Sequence, residues 1–267
     1  MFRTRARAAT ALALLPLLAA PPAAARGLFG GRKEAPKTAA LAAAAPAAAA
    51  RPPRATPEQR AAAERADPLA RAAFWVRESD NDPTDTEAGV RLASALRALG
   101  RNNEAAAAAD RVLVAKPQHL EALLEAGRAR VGAGEGFYAL DFLNRAAALA
   151  PRDWRPWSVM GVAMEQTKRP DDARAAYARA LELSPENPAV LSNLALMAAN
   201  TGDRAQAEAL LRRAVAQPAA TVRERQNLAL VLGLSGRMAE AERILRRELP
   251  PELADANLDY LRAASAR

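Results

Sequence analysis

A proline, a glycine and an alanine return at one fixed step along most of this chain. The prolines are Pro117, Pro151 and Pro185. The glycines are Gly100, Gly134, Gly202 and Gly236, with Lys168 standing where one more would fall. The alanines are Ala105, Ala139, Ala173, Ala207 and Ala241. A constant 34-residue period means one supersecondary unit stacked on copies of itself, because each copy can bury its apolar face only against a neighbour. Stacked arrays present a long wall rather than an enclosed pocket, so the period points to binding before catalysis.

Within one period the apolar spacing is that of helix, short turn, helix. In the third copy Trp157, Met160, Gly161 and Met164 share one face of a first helix, and Ala173, Tyr177 and Ala180 face back from a second. Asp171 and Asp172 open the second helix, where the peptide dipoles favour negative charge. Gly161 and Ala173 carry little or no side chain and let the helices approach, while Trp157 and Tyr177 fill the space beside them. Pro185 closes the copy, since a helix interior excludes proline. Upstream, Thr56-Pro57-Glu58-Gln59 reads as a capped helix start, and Asp67-Pro68 opens a helix with Leu69, Ala72, Ala73 and Val76 in a stripe. Thr84 and Glu87 read as a capping box that opens the first full repeat.

Before the repeats the sequence reads as an address. Three arginines at Arg3, Arg5 and Arg7 precede a leucine-rich uncharged run over residues 8–20, then Pro21-Pro22 and Ala23-Ala24-Ala25. That order predicts a secretory signal peptide over residues 1–25, and its apolar run is shorter than the roughly 20 residues a membrane span needs. Residues 26–55 are an Ala/Pro-rich basic linker with Gly27, Gly30, Pro36, Pro46 and Pro53; they have no bulky apolar period to offset ordering entropy. Localisation is expected to be exported, in the periplasm or at the periplasmic face of the envelope, and the linker could make weak membrane or cell-wall contact. Helices flanking the repeats are expected over 56–85 and a capping helix over 253–267.

The formal net charge of +8 suggests nucleic acid until it is located. Residues 1–56 hold nine of the 38 bases and one of the 30 acids, which leaves 29 of each over the repeats. A nucleic-acid groove needs a strongly positive face, and the neutral repeats do not call for one. The chain has no cysteine, which excludes thiolate metal sites, disulfides and a cysteine nucleophile. Its one histidine, His119, falls in a turn between repeats and reads as a solvated turn residue. Gly132-Ala133-Gly134-Glu135-Gly136 sits at a turn between helices, without the preceding strand that a dinucleotide site requires. No enzyme and no cofactor or metal is expected.

Taken in order, Trp157, Met160-Gly161, Met164, Ala173, Tyr177, Ala180 and Pro185 resemble the tetratricopeptide (TPR) consensus at the family's offsets. Four further copies match through Leu92 and Ala105, Gly127 and Ala139, Leu191 and Ala207, and Leu228 and Ala241. The resemblance implies a right-handed superhelix of about five repeats over residues 86–255, in which the first helix of each pair lines a concave groove. Groove residues implied in this way are Arg97, Arg128, Arg155, Ser158, Ser192, Asn193, Leu196, Asn227 and Leu230, with Val90, Ser94, Leu124, Val162 and Glu165 beside them. The asparagines would hold a peptide backbone and the three arginines would clamp a carboxylate. The ending Ala256-Asn257-Leu258-Asp259-Tyr260-Leu261-Arg262 resembles the tail of the TPR component of Flp/tight-adherence (Tad) pilus assembly. That likeness implies an envelope scaffold with protein or peptide partners, among them pilus assembly subunits. A periplasmic chaperone, or a scaffold for cytochrome c maturation or polysaccharide export, are the other readings.

Overall fold

The computed structural model describes residues 53–265. The signal peptide and all of the linker up to residue 52 lie outside the described residues. Thirteen helices and no strand make up the described chain. The first helices of the pairs are α3 (Thr86–Ala98), α5 (Leu120–Gly132), α7 (Trp154–Gln166), α9 (Pro188–Asn200) and α11 (Val222–Leu234). The second helices are α4 (Asn102–Ala115), α6 (Gly136–Leu149), α8 (Pro170–Leu183), α10 (Arg204–Val215) and α12 (Met238–Glu248). Two helices precede these, α1 (Pro57–Glu64) and α2 (Pro68–Asn81), and α13 (Pro251–Ser265) follows. The starts of both sets keep the 34-residue step without slippage. Successive first helices touch one another and form an inner layer. No two second helices meet among the described residues, so they form the outer layer. This is a TPR-type solenoid.

The register extends further back than the flanking helices expected over 56–85. α2 begins one full step before α4, α1 ends one step before the end of α3, and Pro83 precedes Pro117 by the same interval. The pair is a truncated repeat, with Pro57 at the first position of its shortened first helix. Trp75 therefore occupies the place held later by Leu143, Tyr177, Leu211 and Leu245, and like them it is buried. The buried face of α2 runs through Ala72, Trp75, Glu78 and Ser79, whereas Leu69 and Val76 are exposed. The expected stripe is thus the wrong face, because Trp75 outweighs two aliphatics in the apolar area it removes from water.

The periodic glycines serve the helix ends. Gly100, Gly134, Gly202 and Gly236 all have positive φ just after a first helix, and Lys168 adopts the same conformation at φ 61°. At each, the following N–H reaches back to the helix, as in Arg101 N to Leu96 O at 2.9 Å and Arg169 N to Met164 O at 2.9 Å. That is the Schellman closure, which satisfies carbonyls that the helix leaves unpaired. The periodic alanines Ala105, Ala139, Ala173, Ala207 and Ala241 are all 0% exposed, pressed between paired helices.

Three sequence expectations need correction. Asp85, not Thr84, caps α3, accepting from Ala88 N at 3.1 Å, while Thr84 turns its hydroxyl to Asp82. His119 is more than a solvated residue, because its Nδ1 caps α5 by accepting from Ala122 N at 3.3 Å. Pro185 adds little packing: it is exposed and sets φ at the second position of the Ser184–Asn187 turn. In that turn Glu186 has φ 55°, whereas Gln118 and Arg152 in the matching turns do not have positive φ. A positive φ at the third position is the type II form, so the chain leaves α8 in a different direction. The step from α8 to α9 is accordingly the most open in the array, and Trp154, Trp157, Leu181 and Leu194 pack into it.

Candidate functional site: the inner wall

The inner wall changes character along its length. Over the first repeats it is charged and internally neutralised. Arg97 Nε donates to Glu125 at 3.0 Å, and Arg128 donates to the same carboxylate at 2.7 Å. Glu125 is buried, so the pair of arginines compensates a charge that burial alone would penalise. Arg155 bonds both oxygens of Glu121, at 3.0 and 2.8 Å, and also Asp153. The Asp153 hydrogen bond and the neighbouring Glu121 raise the pKa of Arg155 further above its ordinary value against the opposing effect of burial. The structure therefore places the three arginines on the wall, each already holding a carboxylate of this chain. Leu124, expected beside them, is fully buried within the core that joins α3 to α5.

Beyond these arginines α9 has no charged residue, and an uncharged ladder crosses α7, α9 and α11. Asn193 Nδ2 donates to Ser158 Oγ at 3.2 Å, and Asn227 Nδ2 donates to Ser192 Oγ at 2.8 Å. Each bond ties one first helix to the next. Ser158 and Ser192 are buried beneath the half-buried asparagines. No described residue donates to either asparagine Oδ1. Each amide thus keeps an acceptor, and a second N–H, for something that lies along the wall. Val162, Leu196 and Leu230 recur at the repeat step as half-buried apolar positions on the same helices. An extended chain with alternating side chains matches such a surface, with backbone polar groups met by the amides and side chains set on the aliphatic positions.

Two features of the wall are not visible in the spacing. Tyr177 crosses under α7 and donates to Glu165 Oε1 at 2.5 Å. Burial raises the Glu165 pKa above the usual carboxylate value, and the tyrosine hydrogen bond only partly offsets it. At the far end Leu261 of α13 fills the space over Gly233 of α11, where a Cβ would lie 2.7 Å from its Cδ1. The array ends there on α13, which packs against α11 and α12 through its buried face of Ala254, Leu258 and Leu261.

Residues 163–229 match the tetratricopeptide repeat family model. That segment runs from the last turn of α7 into α11 and includes the whole asparagine–serine ladder except Ser158. No curated protein matches the sequence. Among solved structures, a thermophilic TPR protein from Thermus thermophilus is 28% identical with a TM-score of 0.58, covering 68% of this chain and 97% of that one. A tetratricopeptide repeat protein from Parabacteroides merdae ATCC 43184 is 16% identical with a TM-score of 0.54, covering 77% of this chain and 82% of its own. MamA from Desulfovibrio magneticus RS-1 is 23% identical with a TM-score of 0.49, covering 59% and 89%. With its constant register, its matched segment and its likeness to the Thermus protein, the chain has the fold of a tetratricopeptide-repeat solenoid.

Proposed function

We propose that this chain is an exported, non-enzymatic scaffold that holds an extended segment of an envelope protein against the asparagine–serine ladder of its inner wall, in Flp/Tad pilus assembly. The observation that carries the binding reading is the pair of asparagines, Asn193 and Asn227, each steadied by a buried serine and each keeping an open carbonyl oxygen. Fixing one amide proton orients the group before a ligand arrives, which lowers the ordering cost of binding. The export reading rests on the order of charge, apolar run and small residues in 1–25, and the pilus setting on the resemblance of residues 256–262.

Photo-crosslinking in intact cells tests the proposal. With the crosslinking residue at Leu230, pilus assembly proteins of the envelope are expected among the products. Adducts confined to cytoplasmic proteins would remove the export reading. Adducts with envelope proteins of a different machine would remove the pilus setting and leave the wall as the binding site.

A further inference from the structure

The outer layer carries two adjacent exposed aromatic rings at the start of α6. Phe137 and Tyr138, at the start of α6, are 71% and 64% exposed, with ring centroids 5.5 Å apart in an edge-to-face arrangement. The same two positions hold Asn103 and Glu104 in the preceding repeat, and Asp171 and Asp172 in the following one. No other repeat has an aromatic at either position, so the fold does not require one there, and two large rings in water have no part in packing the array. Phe142 lies one turn beyond Tyr138, with the Arg130 guanidinium stacked 4.1 Å from its centroid. Together they border an open depression rimmed by Glu135 and Asp141. Glu135 makes no ion pair among the described residues, and Asp141 is largely exposed with only a long contact to Arg145 at 3.4 Å.

We propose that this depression is the seat of the chain's own Pro36, with Lys33 and Lys37 on Glu135 and Asp141. Proline rings dock between exposed aromatic rings because a proline-rich strand is extended before binding and loses little freedom on capture. The charges agree, since residues 32–37 read Arg-Lys-Glu-Ala-Pro-Lys, net basic, against Glu135 and Asp141, while Arg130, also in the lining, is already paired with Asp110. The tether also agrees. The described chain begins at Pro53, where Arg54 is paired with Asp82 at the end of α2. The stretch from Pro36 to Pro53 reaches about 50 Å when extended. The way from the end of α2 to the start of α6 crosses about four helix diameters, roughly 40 Å. Joined in this way, the two partners share an effective concentration that compensates for a weak single contact.

The chain lacks cysteine, so one can be introduced for a spin label without competition. Thr38→Cys, labelled in the full chain, is expected to broaden the amide resonances of residues 136–142. Pro36→Ala, and separately Phe137→Asn with Tyr138→Glu, are expected to remove more than half of that broadening while other resonances stay in place. Those substitutions on α6 install the residues that the preceding repeat carries, so the fold tolerates them. Absence of broadening at 136–142, or broadening that survives both variants, overturns the proposal. Broadening that appears only when a labelled chain is mixed with an unlabelled, isotope-enriched one overturns the intramolecular seat, because the segment then docks on a second copy.

Discussion

A Cβ placed on Gly161 would lie 2.6 Å from Cδ1 and Cζ of Tyr177, within a ring that is itself fully buried. The tyrosine lies along α7, its ring over Gly161 and its hydroxyl on Glu165 one turn later. Gly161→Ala forces that ring, or α8 with it, away from α7. The expected cost is about 1–3 kcal/mol, and Gly161→Leu costs more. Thermal melts of the two variants against the parent check this, and melts that agree within error would show that the helices do not meet through this contact.

Lys168 and Glu186 are the two residues other than glycine with positive φ among the described residues. A side chain in that region costs roughly 1–2 kcal/mol relative to glycine in the crowding of Cβ, part of which glycine returns as backbone entropy. Lys168→Gly restores the residue that Gly134 and Gly202 supply at the same step, and it forfeits no ion pair. A net gain of about 0.5–1 kcal/mol follows, or a rise of a few degrees in Tm. Glu186→Gly gains the same backbone relief but loses the pair with Arg213, so its net change is expected to be smaller. Chemical denaturation of both variants ranks them.

The period makes the stacking, the helix pairs and the glycine closures legible, because each depends on residue types at fixed offsets. Trp75 is harder to place, since the truncated repeat keeps its aromatic and Pro83 but has Arg71 where the periodic alanine would stand. Spacing also puts Arg97, Arg128 and Arg155 on the wall. It shows the Glu125–Arg128 pair, three residues apart on α5, but not the occupation of Arg97 and Arg155, whose partners Glu125 and Glu121 reach them only through the stacking of one helix on the next. The asparagine–serine ladder is half visible: the amides stand at the family's positions, but a hydrogen bond from one repeat to the next belongs to the assembled wall.

Arg60 fastens the truncated repeat. It pairs with Asp85 at 2.5 Å and Glu87 at 2.8 Å, with Glu78 at 3.4 Å, and its guanidinium lies 5.6 Å from the Trp75 ring centroid. Burial pushes the Asp85 carboxyl up, but Arg60 and the Ala88 N–H more than offset it, so its pKa falls below the ordinary value of 3.8. Asp82, through its bonds to Thr84 and Arg54, is lowered to about 2. Groups with depressed folded pKa values contribute stability that is complete above their unfolded values and is lost as pH falls through the folded ones. The α1–α2 pair is therefore expected to loosen between about pH 4 and 2. Arg60→Gln brings loosening to neutral pH, because Asp85, its side chain largely buried, then lacks the cation it is hydrogen-bonded to, and Glu78 keeps only the Arg77 cation at 3.9 Å, at a cost of about 3 kcal/mol. Hydrogen exchange confined to residues 57–81 reads both effects, and uniform exchange across the chain would contradict them.

Asn193→Ala with Asn227→Ala tests the wall. Removing both amides leaves Ser158 and Ser192 without the donors that reach them, for a loss of about 1 kcal/mol of stability per bond. Binding of an extended peptide is expected to weaken by more than about tenfold, because two bidentate contacts to its backbone disappear at once. Asn193→Asp separates the two roles, since it keeps an acceptor on the groove side and removes the donor to Ser158. Titration of the crosslinked partner's peptide, followed by calorimetry, supplies the measurement. Unchanged affinity in the double variant, with the circular dichroism of the parent, would assign the partner to another surface.

Glu165→Gln carries a pH dependence of opposite sign. The Glu165 pKa is raised by burial, with the Tyr177 hydrogen bond opposing, so over the interval between its ordinary value of 4.5 and the raised one the folded chain holds a proton that the unfolded chain has released. Stability therefore falls as pH rises through that interval, the reverse of the behaviour of Asp82 and Asp85. A glutamine keeps an acceptor for the Tyr177 hydroxyl and cannot ionise, so the variant is expected to be more stable than the parent at neutral pH and equal to it in acid. Paired denaturation curves across the range decide the matter. A parent and variant that differ by the same amount at every pH would place the carboxylate in water, and would loosen the link between Tyr177 and the wall.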